Sequence, residues 1–245
     1  KGTLAGGDRM TSDGDQLSSG AASSAVVRNV SNISGKLTQA FYRLQGRKLV
    51  RSLRISKSFR VFDLGSGSGF LKPIFEEYGA IYHGIDTDEK SVAMARELYG
   101  PEGFQCGYFP QDVRLEEVDL VISLSCIDEV PDPVAALKAI GGLIGPSRGR
   151  AVIAVRNGSF PAYSLKMLVE RVGFKRPSLV RDASYDCWIE RMKEAGLRIV
   201  HVSPYYRPWF TGFSVSGVKN TLYRIANWVL PTRYCYMLQF SVAKP

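Results

Sequence analysis

The sequence predicts an α/β fold: a doubly wound, mostly parallel seven-stranded sheet with helices on both faces, preceded by an N-terminal helical lid. Three observations predict it. From residue 60 onward, short apolar segments alternate with longer segments of helical spacing, the order that sets parallel strands beside crossover helices. The first apolar segment runs directly into three alternating glycines, Gly65, Gly67 and Gly69, and then into a helical pattern. The second ends in an acid, Asp86, one β-α-β unit further on.

Residues 1–24 are rich in Gly, Ser, Asp and Ala and have no hydrophobic period, so burial cannot repay the entropy of ordering them and a flexible tail is expected. From Lys36, the residues Leu37, Ala40, Phe41 and Leu44 have helical spacing, which resumes after Gly46 with Leu49, Val50 and Leu53. Residues 25–58 therefore read as a basic helical lid, either one helix kinked at Gly46 or two short ones. Strands are expected over 60–64, 80–85, 104–108, 120–124 and 151–155, and helices over 71–78, 89–98, 133–140 and 185–195. Late strands at 198–204 and 236–242 would complete the sheet. Residues 59–245 form one folded unit, in which 156–235 carry segments for substrate recognition. A chain of 245 residues can bury one sizeable core, and a second would be crowded.

The net charge of +9 is unevenly placed. No acid stands between Asp15 and Asp63, where nine Arg and Lys residues fall, and none stands from Gly196 to Pro245, where six fall. An acidic middle is thus flanked by two basic segments, which suggests an anionic acceptor or surface. The competing reading is that the charges keep a lid soluble while the aromatics near it fill a small auxiliary core. No apolar run approaches the roughly 18 residues of a membrane span, and Cys106, Cys126, Cys187 and Cys235 show neither paired nor metal-ligand spacing. With no basic-then-apolar layout at residue 1, the expectation is a cytoplasmic protein with reduced thiols, in peripheral contact with the inner face of an anionic membrane.

The glycine segment is spaced G-x-G-x-G. The dinucleotide fingerprint G-x-G-x-x-G would need glycine where Phe70 stands, and no Lys-Ser/Thr pair follows as in a phosphate loop. Asp63 precedes the loop and would repel pyrophosphate, so it suits a cationic ligand. Asp86 stands where such folds place a carboxylate on ribose hydroxyls, although a helix cap is a rival role for it. After the third strand, Gln111, Asp112 and Val113 could meet the edge of a base. The fourth strand, with Ser123 and Leu124, opens onto Ser125-Cys126-Ile127-Asp128-Glu129-Val130-Pro131-Asp132-Pro133.

These segments resemble the class I methyltransferases, especially the small-molecule group that includes ubiquinone-biosynthesis O-methyltransferases. In that family the loop reads V-x-D-x-G-x-G-x-G, the ribose acid G-x-D, and the stretch after the fourth strand ends V-P-D-P, matched here at 61–69, 84–86 and 130–133. The likeness covers roughly 60–156, continues weakly through 188–199, and leaves out both ends. Many relatives carry histidine just before V-P, where this chain has Glu129. The resemblance implies a Rossmann-like fold, S-adenosylmethionine as methyl donor with S-adenosylhomocysteine as product, and a cofactor site of Asp63, Gly65, Ser66, Gly67, Gly69, Asp86, Thr87, Asp112, Val113, Ser123 and Leu124.

Methyl transfer from a sulfonium needs its partners held in line, and a hydroxyl acceptor needs a base as well. Asp128 and Glu129 are candidates because ligands gather at the carboxyl ends of such strands. His201 is a candidate for its titration range, in a strand read as feeding the substrate side. His83, inside the second strand, reads as structural. For the acceptor, Tyr42, Arg43, Arg156, Tyr206, Arg207 and Trp209 offer charge and ring faces suited to an anionic small molecule, sugar or lipid-linked glycan. Nothing has metal-ligand spacing. Two other readings stand beside this one. An RNA methyltransferase would use the same basic and aromatic mix, and a non-catalytic module would bind the donor while docking on a membrane or partner.

Overall fold

The computed structural model describes residues 33–114, 117–146, 149–160, 183–205, 231–235 and 237–245. The expected tail, together with Tyr206, Arg207 and Trp209, lies outside them. In chain order the elements are α1 (Ile33–Leu53), β1 (Arg60–Leu64), α2 (Lys72–Glu77), β2 (Ile81–Asp86), α3 (Glu89–Tyr99), β3 (Phe104–Cys106) and β4 (Leu120–Leu124). There follow α4 (Pro133–Leu143), β5 (Arg150–Arg156), α5 (Tyr185–Glu194), β6 (Arg198–Pro204), a short 3-10 turn (Thr232–Tyr234) and β7 (Met237–Ala243).

The seven strands form one sheet in the order β3-β2-β1-β4-β5-β7-β6. β1 pairs in parallel with β2 on one side and β4 on the other, so the chain reverses direction across the sheet there, and a crevice opens at the carboxyl ends of β1 and β4. β7 is antiparallel to both its neighbours, β5 and β6. The central strands are mainly apolar because both faces are covered: all five residues of β4, Ser123 included, are buried.

On one face, Leu49 and Val50 of α1, Ile74 and Phe75 of α2, and Val92 and Ala95 of α3 share a cluster with Val61, Leu120 and Val152 of the sheet. On the other, Ala136, Leu137 and Ile140 of α4 pack with Trp188 and Met192 of α5 against Phe62, Val121 and Ile153. The Trp188 indole is fully buried, and its N–H donates to the carbonyl of Arg156 at 3.1 Å, as a buried indole requires. Lys72 is buried too. Its ammonium donates to the carbonyls of Tyr99 and Glu102 at 3.0 and 2.8 Å, tying the start of α2 to the end of α3.

One expectation changes and another holds. α1 runs without interruption through Gly46. A Cβ there would stand 2.8 Å from Cδ1 of Ile74, so this glycine lets α1 approach α2 rather than kinking it. The helix expected from 133 is present, and the stretch 130–132 leads into it: Asp132 is the N-cap of α4, accepting from the Ala135 amide at 3.0 Å, and Pro133 occupies the first turn where no N–H is needed.

Candidate active site

β1 carries Asp63 and ends in the loop 65–69. That loop folds over the end of β2 because the amides of Gly65 and Ser66 both donate to the carbonyl of Ile85, at 2.9 and 3.0 Å. Two of its glycines meet demands that other residues would not. Gly65 (φ 77°) lies so close to the segment after β4 that a Cβ would stand 2.6 Å from that of Cys126. Gly67 (φ 50°) faces open space, and its requirement is the left-handed backbone alone.

From that backbone the Gly67 amide donates to Oδ2 of Asp86 at 2.7 Å, while the Asp88 amide donates to Oδ1 at 2.9 Å. Two backbone donors orient the carboxylate and leave each oxygen a further lone pair for a ligand hydroxyl. Capping of α3 falls to Asp88, which accepts from the Ser91 amide at 3.2 Å and hydroxyl at 2.6 Å. Asp86 is therefore not the cap.

Two cavities open around this frame. The first, of about 430 Å³, is lined by Tyr42, Asp63, residues 65–68, Phe70, Leu71, Ser91, Leu124, Ser125 and Glu129. The second, of about 600 Å³, is lined by Leu64, Gly65, residues 85–87, 107–109, 111–112 and 125–126, and residues 129–131. Gly65, Ser125 and Glu129 line both. Asp63, Asp86, Asp112 and Glu129 face this space, and no described lining residue is Lys or Arg, a balance that favours a cation and repels pyrophosphate.

Asp63 is 3% exposed and accepts from the Tyr82 hydroxyl at 2.5 Å. Burial pushes its carboxyl up to about 7; the Tyr82 bond opposes the shift and the nearby Asp86 adds to it. Cys126 lines the second cavity, but burial, reinforced by the surrounding carboxylates, pushes its thiol up to about 12, so it is no thiolate nucleophile.

After β4 the chain turns through Ser125, whose φ of 62° is unusual for a residue with a side chain. Its hydroxyl is buried without a partner among the described residues. Asp128 and Glu129 follow. Asp128 is 3% exposed and accepts from Arg156 Nε at 2.5 Å. Glu129 is exposed, and its Oε1 accepts from Arg156 Nη2 at 2.9 Å. Arg156, at the end of β5, thus holds both acids of the post-β4 turn.

The predicted residues divide accordingly. Asp63, Gly65, Ser66, Gly67, Asp86, Thr87, Asp112, Leu124, Glu129 and Tyr42 line the cavities. Gly69 does not; it lies beneath the ring of Phe104. Ser123 is fully buried in β4, and Val113 packs against the core. Asp128 is sequestered by Arg156, and Arg43 lies exposed on α1. His201 is exposed on β6, the edge strand, with β5 and β7 between it and β4, and lines neither cavity. Sequence reasoning missed Ser125, Phe70 and Ser91. Phe70 packs on Tyr42 with ring centroids 6.0 Å apart, which roofs the first cavity with α1.

Residues 62–147 match a family model described as a methyltransferase domain. Over 175 residues the chain is 30% identical to the ubiquinone biosynthesis O-methyltransferase of Xylella fastidiosa (strain M23), spanning 64% of this chain and 69% of that one. The chain belongs to the class I S-adenosylmethionine-dependent methyltransferases. A protein of the same name from Coxiella burnetii (strain RSA 331 / Henzerling II) is 24% identical over 174 residues, 65% of this methyltransferase and 73% of its own length. The fold also matches the magnesium protoporphyrin IX methyltransferase of Synechocystis PCC 6803, solved with bound SAH. There the TM-score is 0.60 at 16% identity, over 93% of this chain and 95% of that one.

S-adenosylmethionine is this methyltransferase's cofactor, and its residues fit it. The second cavity combines the apolar walls of Ile85, Phe109 and Val130 with the oriented Asp86 carboxylate, a surface that would suit a flat base beside a sugar bearing hydroxyls. The first has Asp63 in its lining, a carboxyl that would suit a cationic group, and the hydroxyl of Ser125, without a partner among the described residues, lies where the two cavities meet.

Proposed function

We propose that this methyltransferase acts on a hydroxyl of a small anionic acceptor, such as a phosphorylated or carboxylated ring, a sugar or a lipid-linked glycan, by direct in-line transfer. The observation that carries the proposal is the junction of the two cavities, where Glu129 is the one carboxylate among the described residues lining both. The names of the Xylella and Coxiella relatives, both O-methyltransferases, support a hydroxyl acceptor. When bound, S-adenosylmethionine supplies a methyl group already activated on a sulfonium. The chain's own work is to orient and to take a proton. Asp86 holds the ribose hydroxyls, Gln111 and Asp112 meet the adenine edge, and Asp63 faces the ammonium. Glu129, steadied through Oε1 by Arg156, keeps Oε2 for the acceptor's proton. Tyr42, Arg156 and the segment carrying Tyr206, Arg207 and Trp209 receive the acceptor with its hydroxyl at the junction and its negative charge directed to the basic flanks, away from the carboxylates that line the cavities.

Turnover, followed as S-adenosylhomocysteine release over a panel of hydroxylated aromatic acids and sugar phosphates, tests this. Glu129→Gln is expected to lower kcat about a hundredfold, within the usual range for a lost acid-base group, with donor affinity by calorimetry unchanged. Asp86→Ala is expected to abolish donor binding. A Glu129→Gln enzyme with undiminished kcat would remove the proton-accepting role, and an Asp86→Ala enzyme that binds donor normally would remove the ribose assignment.

A further inference from the structure

At the opposite end of the sheet from the donor site lies a third cavity, of about 590 Å³, with the reverse polarity. It is bounded by the connection from α1 to β1, the segment leading into β4 and the first residue of β5, and its lining includes Arg54, Lys57 and Arg150. Each of these cations is exposed, and none has a carboxylate partner among the described residues. The one carboxylate in the lining, Asp119, is engaged by the Arg60 amide at 2.8 Å. Three positive side chains against one acid is the inverse of the donor site.

The walls are built as well as charged. Leu53 and Phe59 pack on the core and fix both ends of the connection. The Lys57 stem lies against the turn between α2 and β2, where a Cβ on Gly79 would stand 2.9 Å from Lys57 Cγ. Between them, Arg54 (φ 52°) and Ser58 (φ 63°) hold left-handed backbone. The amides of Ser56 and Lys57 have no acceptor among the described residues, and the hydroxyls of Ser56 and Ser58 have no partner among them either. Successive unbonded amides in a turn beside Arg, Lys and Ser side chains are the donor set that phosphate oxygens accept from.

We propose that this cavity is a second binding site, for a phosphate group, independent of the methyl donor and at the far end of the sheet from it. The group comes either from a soluble phosphoester or from the headgroup of an anionic phospholipid. Both present the same oxygens to Arg54, Lys57 and Arg150. A lipid source would also bring the exposed Arg47 and Arg51 of α1 toward the membrane surface, since they lie on the helix that leads into the cavity.

The full chain is tested with two probes: inorganic pyrophosphate by calorimetry, and vesicles of phosphatidylcholine with about 30% phosphatidylglycerol by sedimentation, against pure phosphatidylcholine. Arg54→Gln/Lys57→Gln/Arg150→Gln is compared with Lys90→Gln/Lys138→Gln/Lys193→Gln, which removes equal charge from exposed positions outside the cavity. The cavity variant is expected to lose about tenfold or more in affinity for whichever probe the wild type binds, and the control to change less than about twofold. S-adenosylmethionine affinity should stay constant in both. Pyrophosphate binding identifies a soluble source, and binding to the anionic vesicles alone identifies a headgroup. If the cavity variant no longer holds the donor, the three single substitutions replace it, each expected to weaken the probe about threefold. Equal losses in variant and control, or no binding of either probe by the wild type, overturn the proposal.

Discussion

With burial pushing its carboxyl up to about 7, Asp63 keeps its proton well past the pH at which an unfolded chain would release it. Its contribution to stability is therefore complete below about pH 4 and is lost as pH rises through about 7. A cationic ligand reverses the preference by favouring the carboxylate, so donor binding on the acid side of about pH 7 should release a proton, and affinity should climb across about pH 5 to 7 before levelling. Calorimetry in buffers of different ionisation heat reads both effects, and Asp63→Asn should flatten the profile. A flat wild-type profile would separate Asp63 from the cationic end of the ligand. Such residues were legible in the sequence because their chemistry is local: an acid before a glycine bend and an acid after the next strand have few other uses. Ser125 was not legible. Its left-handed backbone and unpartnered hydroxyl follow from how the turn after β4 meets Gly65, and residue type does not record that.

At the level of elements, α1 is as much core as lid. Its inner face places Leu49 and Val50 beside Ile74 and Phe75, and the same helix carries Tyr42 over the donor cavity. Gly46→Leu should push α1 away from α2, because even its Cβ would fall within contact of Ile74 and Leu71. Overpacking of this kind costs about 1 to 3 kcal/mol, and donor affinity should fall along with it through displacement of Tyr42. Chemical denaturation and calorimetry on the same variant check the pair, and an unchanged denaturation midpoint with normal donor binding would disconnect the roof from the site. The helical period of α1 could be read from sequence, but the purpose of its glycine could not, since a kink and a close approach call for the same residue. The bounds of β4 and β6 were legible to the residue, whereas β3 ends at Cys106 where a longer strand was expected.

Across the molecule, acids gather at the carboxyl ends of the strands, and cations without a carboxylate partner among the described residues gather at the other end, so the two cavities at one pole and the third at the other attract opposite charges. Protection should run sideways across the same sheet. Strands β4 and β5 have nearly every side chain buried and both edges paired, while β3 and β6 are outermost. Hydrogen exchange should therefore find the slowest amides in β4 and β5, and β3 and β6 opening well before global unfolding. Uniform protection would indicate a single cooperative unit out to the edges. The sheet's existence was plain from the alternation of segments, but its order was not. That gap is why His201 looked closer to the chemistry than the edge strand allows, since no local pattern announces that β7 lies between β5 and β6.

That insertion bears on how the protein is made. On the ribosome β6 emerges before β7, yet among the described residues β7 is its one neighbour in the finished sheet. Until β7 is released, β5 presents an open ladder and β6 lacks its described partner, so the nascent chain waits with a sticky flank that one later segment must seal on both sides at once.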